Sequence, residues 1–248
     1  MKFVGILNFV FIAGGLYGHA QSLELNTQIF DIHDCSAVDT LSNAQDSLLE
    51  HEKRCNHFYI EWPNIKGDDP WINQRIEKTL KEYICGLIQS DQLDSAQYTQ
   101  NLTEAFVLKH NKNTSAEWDI TCEYIGTFKN VHQFSISHGG YYYGAAHGFG
   151  YSQYFHLHSI TAHEIELVHL FNELELAKLE SYTLAKMISE QDDIWLADLN
   201  DSFFLSENFI MNESGITFYY NAYDIGPYAM GYPEIALTWS EIQTCLSN

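Results

Sequence analysis

Residues 139–171 read GGYYYGAAHGFGYSQYFHLHSITAHEIELVHLF, and five glycines, five tyrosines and five histidines crowd into this stretch. Glycine accepts backbone conformations that a Cβ resists, so its density here marks tight turns or close backbone approach. Beyond Gly150 the pattern turns to period two. Phe155 and Leu157 alternate with His156 and His158, and Ile165 and Leu167 alternate with Glu164 and Glu166, which predicts two half-buried strands. A glycine-rich aromatic loop carried between strands of a sheet is a place where surface function concentrates.

Working outward, Trp118, Ile120, Cys122 and Tyr124 alternate, and Phe134 and Ile136 do so after a turn near Asn130. This predicts an antiparallel hairpin leading into the loop. Further upstream, Phe58, Ile60 and Trp62 alternate with His57, Tyr59 and Glu61, and Pro63 is expected to end that strand because it cannot donate to a ladder. Asp69 before Pro70 is a helix start, and Ile72, Ile76, Leu80, Tyr83 and Leu87 follow at spacings of three and four. A polar helix is expected over 91–109, with Tyr98, Leu102, Ala105 and Phe106 as its stripe.

Downstream, Asn172 precedes Glu175 in a capping-box arrangement, and Leu174, Ala177, Leu184 and Ile188, with Ser181, are expected to form the buried stripe of a second helix. Residues 203–211 and 216–220 read as strands, 221–233 as a loop of tyrosine, glycine and proline, and Ile235, Leu237 and Trp239 as a closing strand. The succession is α+β, antiparallel sheets packed with two main amphipathic helices in two intimately packed subdomains. The expected division is a signal segment at 1–20, a partly ordered leader at 21–54, and α+β parts at 55–150 and 151–248.

The expected signal segment rests on Lys2, an apolar run from Phe3 to Tyr17, and small residues before Gln21. The run is too short for a spanning helix, so no stable membrane anchor is expected and the protein should be periplasmic or secreted. Cleavage would leave 11 basic against 33 acidic side chains, a net charge of −22. Such a surface repels nucleic acid and anionic lipid and attracts cationic partners. Cys35, Cys55, Cys85, Cys122 and Cys245 form no C-x-x-C pair, which argues against a zinc ribbon; export would permit disulfides, but their pairing is open, and the odd count leaves a thiol over.

Five histidines in one stretch invite a metal hypothesis, because His156 and His158 share a strand face. The spacing opposes it: His163-Glu164 begins like a zincin motif, but the next histidine is His169, six positions on. No metal and no cofactor are expected. The chain has no G-x-S-x-G elbow and no phosphate-cradling glycine loop with lysine. What remains is a binding surface of amphipathic tyrosines, Tyr141, Tyr142, Tyr143, Tyr223 and Tyr228, together with His147.

From Asn56 to Ile242 the chain resembles an exported domain of unknown function shared by the anti-sigma factor RsiV and the non-catalytic region of the peptidoglycan deacetylase PdaC. The resemblance is carried by FYIEWPNIKGDDPWINQRI at 58–76, YYYGAAHGFGYSQYF at 141–155, IELVHLF at 165–171 and GITFYYNAYDIGPYAMGYPEIALTWSEI at 215–242. Ala145 stands where that family usually has glycine, His169 where it has an acidic residue, and the turn at 159–163 looks longer. The resemblance implies an exported α+β domain with a PdaC-like first part and an RsiV-like second part. It also implies a non-enzymatic cell-envelope binding role, with a cationic protein such as lysozyme, or peptidoglycan, as ligand. The competing reading is a peptidoglycan hydrolase or deacetylase that uses His147 with nearby carboxylates.

Overall fold

The structure is a computed structural model that describes residues 23–34, 56–88, 116–142, 145–190 and 203–247. It has the expected mixed α+β architecture. A five-stranded sheet runs in the order β1 (Leu23–Asp34), β2 (Asn56–Gly67), β3 (Ala116–Phe128), β4 (Val131–Tyr142) and β5 (Phe149–His158). A second sheet orders β6 (Phe209–Met211), β7 (Gly215–Tyr219) and β8 (Glu234–Thr238), with neighbours antiparallel. Among the described residues the α-helices are α1 (Pro70–Ile88), a single turn α2 (Leu167–Leu170), α3 (Glu173–Glu190) and α4 (Trp239–Ser247).

The described chain groups into two compact units, each discontinuous in sequence: one takes Leu23–Glu123 with Ile136–Tyr151, the other Tyr124–Ser135 with Ser152–Asn248. In the first unit, β1 and β2 pair antiparallel over their whole length, from Leu23↔Gly67 to Asp34↔Asn56. β2 meets β3 in parallel, over His57–Ile60 only. A parallel pair needs a crossover, and the connection that carries α1 supplies it. Asp69 caps α1 by accepting the N–H groups of Trp71 and Ile72 at 2.9 and 3.2 Å, as its position before Pro70 predicts. Ile72, Ile76, Leu80 and Ile84 are buried on the face α1 turns to the sheet, where Phe58, Ile60, Ile120 and Ile136 are buried too.

Pro63 does not end its strand; β2 continues to Gly67, with Pro63 opposite Thr27 of β1. The β3 pairing has stopped three residues earlier, so a missing N–H costs little there. Carboxylates satisfy backbone groups beyond that short ladder: Glu77 of α1 accepts the Ile65 N–H at 2.7 Å, and Glu61 accepts the Cys122 N–H at 3.1 Å.

In the second unit one apolar core gathers Phe128, Val131, Leu167, Phe171, Leu179, Met187, Phe209, Phe218, Leu237 and Ile242. The capping box at α3 is present, with the Asn172 N–H donating to Glu175 at 2.9 Å and the Glu175 N–H to Asn172 at 3.1 Å. Its buried stripe overlaps the expected one only at Leu184, which packs half-buried against the core. Leu179, Thr183 and Met187 are buried, whereas Leu174 is 68% and Ile188 44% exposed and Ala177 and Ser181 are also exposed. Both stripes have helical spacing, and Thr183 is tolerated inside because its hydroxyl donates to the Leu179 carbonyl at 2.6 Å.

Other expectations also needed correction. Within the partly ordered leader expected at 21–54, β1 is a 12-residue strand whose ladder with β2 organises a stretch without a strong period of its own. The strand expected at 164–168 reduces to one bridge, Leu157↔Glu164, followed by α2. Here Glu166 and His169 form a reciprocal cap, with the Glu166 N–H donating to His169 Nδ1 at 3.0 Å. Only Phe209–Met211 of the 203–211 run is strand, and Trp239 opens α4 instead of closing β8. The switch at 239 is a further capping box: Glu241 accepts the Thr238 N–H at 2.7 Å, and the Glu241 N–H donates to the Thr238 hydroxyl at 3.2 Å. The signal segment at 1–20 and the polar helix at 91–109 lie outside the described residues.

Candidate binding surfaces

The loop from Tyr220 to Pro233 leaves β7 and returns as β8. Both ends are fastened by buried polar groups. Asn221, 4% exposed, receives the Ser152 N–H on Oδ1 at 2.7 Å and donates through Nδ2 to the Ser152 carbonyl at 3.2 Å. A side-chain amide thus completes the pairing that a strand backbone would otherwise supply. The Asn221 N–H donates to the Asp224 carboxylate at 2.7 Å. Buried Tyr220 sends its hydroxyl to the Phe204 carbonyl at 3.1 Å and its N–H to the Pro233 carbonyl at 2.9 Å, and burial raises its phenol pKa.

Between these fastenings the loop turns tyrosines outward. Tyr223 is 63%, Tyr232 57% and Tyr228 37% exposed, and the rings of Tyr223 and Tyr228 lie 5.7 Å apart. Tyr223 adopts a φ of 74°, a left-handed conformation that a bulky residue rarely takes. Such strain persists only where the surroundings hold it, and it concentrates at functional positions. Tyr232, absent from the candidates chosen by sequence, is exposed on the same loop, and its place in that tyrosine-rich loop was the available signal.

In the other unit, the expected loop is the end of the β4–β5 hairpin. Tyr141 is half-buried and donates its hydroxyl to the Ala145 carbonyl at 2.9 Å, so it braces the turn. Tyr142 is 37% exposed and joins Trp118 and Phe149 in an aromatic cluster, with ring centroids 5.9 Å from each. Gly140 makes the cluster possible: a Cβ there would sit 2.5 Å from the Glu117 carbonyl and 3.1 Å from the Phe149 ring. His147 is exposed, with Nδ1 donating to the Gly148 carbonyl at 2.8 Å. Tyr143 lies outside the described residues. The structure thus brings Tyr223 and Tyr228 together in one unit, and places Tyr141, Tyr142 and His147 in the other.

Several polar residues that look reactive in sequence hold the second unit together. His156, 2% exposed, donates from Nε2 to the Phe209 carbonyl at 2.7 Å and stacks on the Phe209 ring at 3.9 Å. Gln133 clamps the next strand position, receiving the Met211 N–H at 2.7 Å and donating to its carbonyl at 2.8 Å. His132 is wholly buried; its Nδ1 is hydrogen-bonded with Thr127 at 2.7 Å and Tyr124 at 3.2 Å, and its Nε2 has no hydrogen-bond partner. Burial pushes both imidazoles down to about 4, and nearby His158 adds to the effect on His132. Thr127 and His132 have the atoms of a nucleophile and base, but a buried, weakly basic ring without an orienting carboxylate on Nε2 is a poor activator. Among the described residues no three His, Cys, Asp or Glu side chains gather as they would around a metal ion.

The outward tyrosines sit in the part of the chain that also matches a known family model. Residues 167–240 match DUF3298, a protein family of unknown function. The DUF3298 region runs from α2 to the start of α4 and includes the whole tyrosine loop. Two solved structures carry the comparison over most of the chain. A member of the DUF3298 family from Bacteroides fragilis is 20% identical, with a TM-score of 0.68, covering 91% of this chain and 94% of that one. A DUF3298 family protein from Pseudomonas aeruginosa PAO1 is 14% identical, with a TM-score of 0.60, covering 90% and 94%. At these identities the likeness is one of fold. No curated protein matches the chain.

Proposed function

We propose that this is an exported, non-enzymatic binding protein of the cell envelope, whose tyrosine loop in the DUF3298 region contacts a basic protein of the lysozyme type. The observation that carries the reading is Tyr223, an exposed aromatic ring in a left-handed backbone conformation, flanked by the buried Asn221, which bonds to Ser152, and by the half-buried Asp224, which accepts the Asn221 N–H. Rigid, amphipathic tyrosines give large contact area at low entropic cost, as recognition surfaces require. The net charge of −21 for the full chain favours a cationic partner and speeds the encounter at low salt.

Titration with lysozyme at low and raised salt tests the reading. Binding should weaken as salt rises, and a Tyr223→Ala, Tyr228→Ala double variant should bind at least tenfold more weakly while keeping its fold. Absence of binding even at low salt rejects the basic partner, and peptidoglycan sedimentation then examines the second ligand that the sequence resemblance implies. Release of sugars or acetate from peptidoglycan, lost on His147→Ala, would overturn the non-enzymatic part of the proposal.

A further inference from the structure

The tyrosine loop alternates between side chains that hold it and side chains that it presents. Asn221, Ile225 and Pro233 are buried, and Met230 packs partly buried against the core that contains Ile225. Between these anchors Tyr223, Tyr228 and Tyr232 are exposed. The turn that carries Tyr223 is closed twice, by the Asn221 N–H on an Asp224 carboxylate oxygen at 2.7 Å and by the Asp224 N–H on the Asn221 carbonyl at 3.1 Å. A Cβ on Gly226 would run into the Met230 sulfur, so the chain between Tyr223 and Tyr228 is closely packed. Rings fixed in advance lose little ordering entropy when a ligand binds.

Two further features give this surface a chemical preference. The Tyr223 and Tyr228 rings lie 5.7 Å apart at 39° to each other, which makes a paired π surface whose faces attract cations. Asp224 directly follows Tyr223 and is half-buried. One of its oxygens accepts the Asn221 N–H, and the other accepts no hydrogen bond among the described residues. Neighbouring Cα atoms are about 3.8 Å apart, so this carboxylate is the charged group nearest in the chain to the Tyr223 ring.

We propose that Tyr223, Tyr228 and Asp224 form a subsite for a guanidinium group, an arginine side chain presented by the basic partner. The assignment rests on the reading of the tyrosine loop as the contact surface. A guanidinium is flat as well as charged: its plane stacks on a tyrosine face within about 6 Å of the centroid, and its edge donates to a carboxylate oxygen. A lysine ammonium is a compact, strongly hydrated point charge with no plane to stack, so it gains less from the same groups. The net charge of −21 attracts either cation and does not distinguish them. The loop does.

The test uses the full chain and two labelled peptides of equal length and charge, Arg-Gly repeats and Lys-Gly repeats, titrated at low salt by fluorescence polarisation. The arginine peptide should bind about tenfold more tightly than the lysine peptide. Asp224→Asn keeps an oxygen for the Asn221 N–H and removes the charge; Tyr223→Leu keeps an apolar side chain and removes the π face. Each should cut the preference to about twofold or less, whereas Tyr223→Phe should retain it. Unchanged circular-dichroism melts establish that each variant keeps its fold. Equal affinity of the two peptides for the parent chain, no binding of either, or a preference that survives in Asp224→Asn or Tyr223→Leu would overturn the subsite. Lysozyme separates the two proposals. An arginine preference without lysozyme binding rejects only the partner named above, and lysozyme binding without an arginine preference rejects only the guanidinium subsite.

Discussion

Acidification from pH 7 to pH 5 should destabilise the unit that contains His132 and His156, and by an amount the structure sets. Both rings are essentially inaccessible, at 0% and 2% exposure, and both are held near a pKa of about 4 against an ordinary value of 6.5. The unfolded chain therefore takes up protons as pH falls through 6.5, while the folded chain resists until about 4. Stability conferred by the neutral rings is full above 6.5 and is lost between 6.5 and 4. At pH 5 each ring costs about 2 kcal/mol relative to pH 7, or about 4 kcal/mol for the pair, an upper figure if the fold relaxes. Urea denaturation at pH 7, 6 and 5 measures this directly. His156→Gln preserves a donor to the Phe209 carbonyl and removes one titrating group, so its pH slope should be about half the parent's. A stability that is flat or rises on acidification, or a His156→Gln slope equal to the parent's, would refute the account of these histidines as buried neutral braces.

Four substitutions probe the packing. Gln133→Leu strands the N–H and carbonyl of Met211 in a buried position, and should lower the unfolding free energy by about 2–5 kcal/mol in denaturant titrations. Gly215→Ala would drive a Cβ into the Leu237 carbonyl, forcing β7 and β8 apart; a loss of about 2–3 kcal/mol is expected from thermal and chemical melts. Leu179→Ala should cost about 3 kcal/mol and Leu174→Ala within about 0.5 kcal/mol, because only the former faces the core; equal effects would reinstate the stripe expected from sequence.

The elements that sequence located correctly share a property: their signals are local. Asp69 before Pro70, Asn172 with Glu175, and the alternation from Trp118 to Ile136 each depend on residues a few positions apart, whose side-chain directions follow from helix or strand geometry. Mistakes arose where two local patterns tied or where a distant partner decided. The residues of α3 offer two apolar stripes of similar quality, and the surface it packs on selects Leu179 and Met187. Thr238 with Glu241 was a legible cap that an alternating reading through Trp239 concealed. For the candidate surface, tyrosine content identified Tyr223 and Tyr228, but nothing local announced the left-handed Tyr223 or the Asn221 side chain that fastens the loop to Ser152, 69 residues away.

From sequence alone came the α+β class, the helix starts, the acidic character and the tyrosine-rich loop, because composition, capping and short-range periodicity act within a turn or two of chain. Tertiary structure alone decided which helix face is buried, that β1 pairs with β2 across a 21-residue gap, that two histidines serve as neutral internal braces, and that each unit is assembled from separated segments. These depend on burial and on backbone pairing between residues far apart in the chain, where the energy of a contact is set by what arrives from elsewhere and not by the neighbours in sequence.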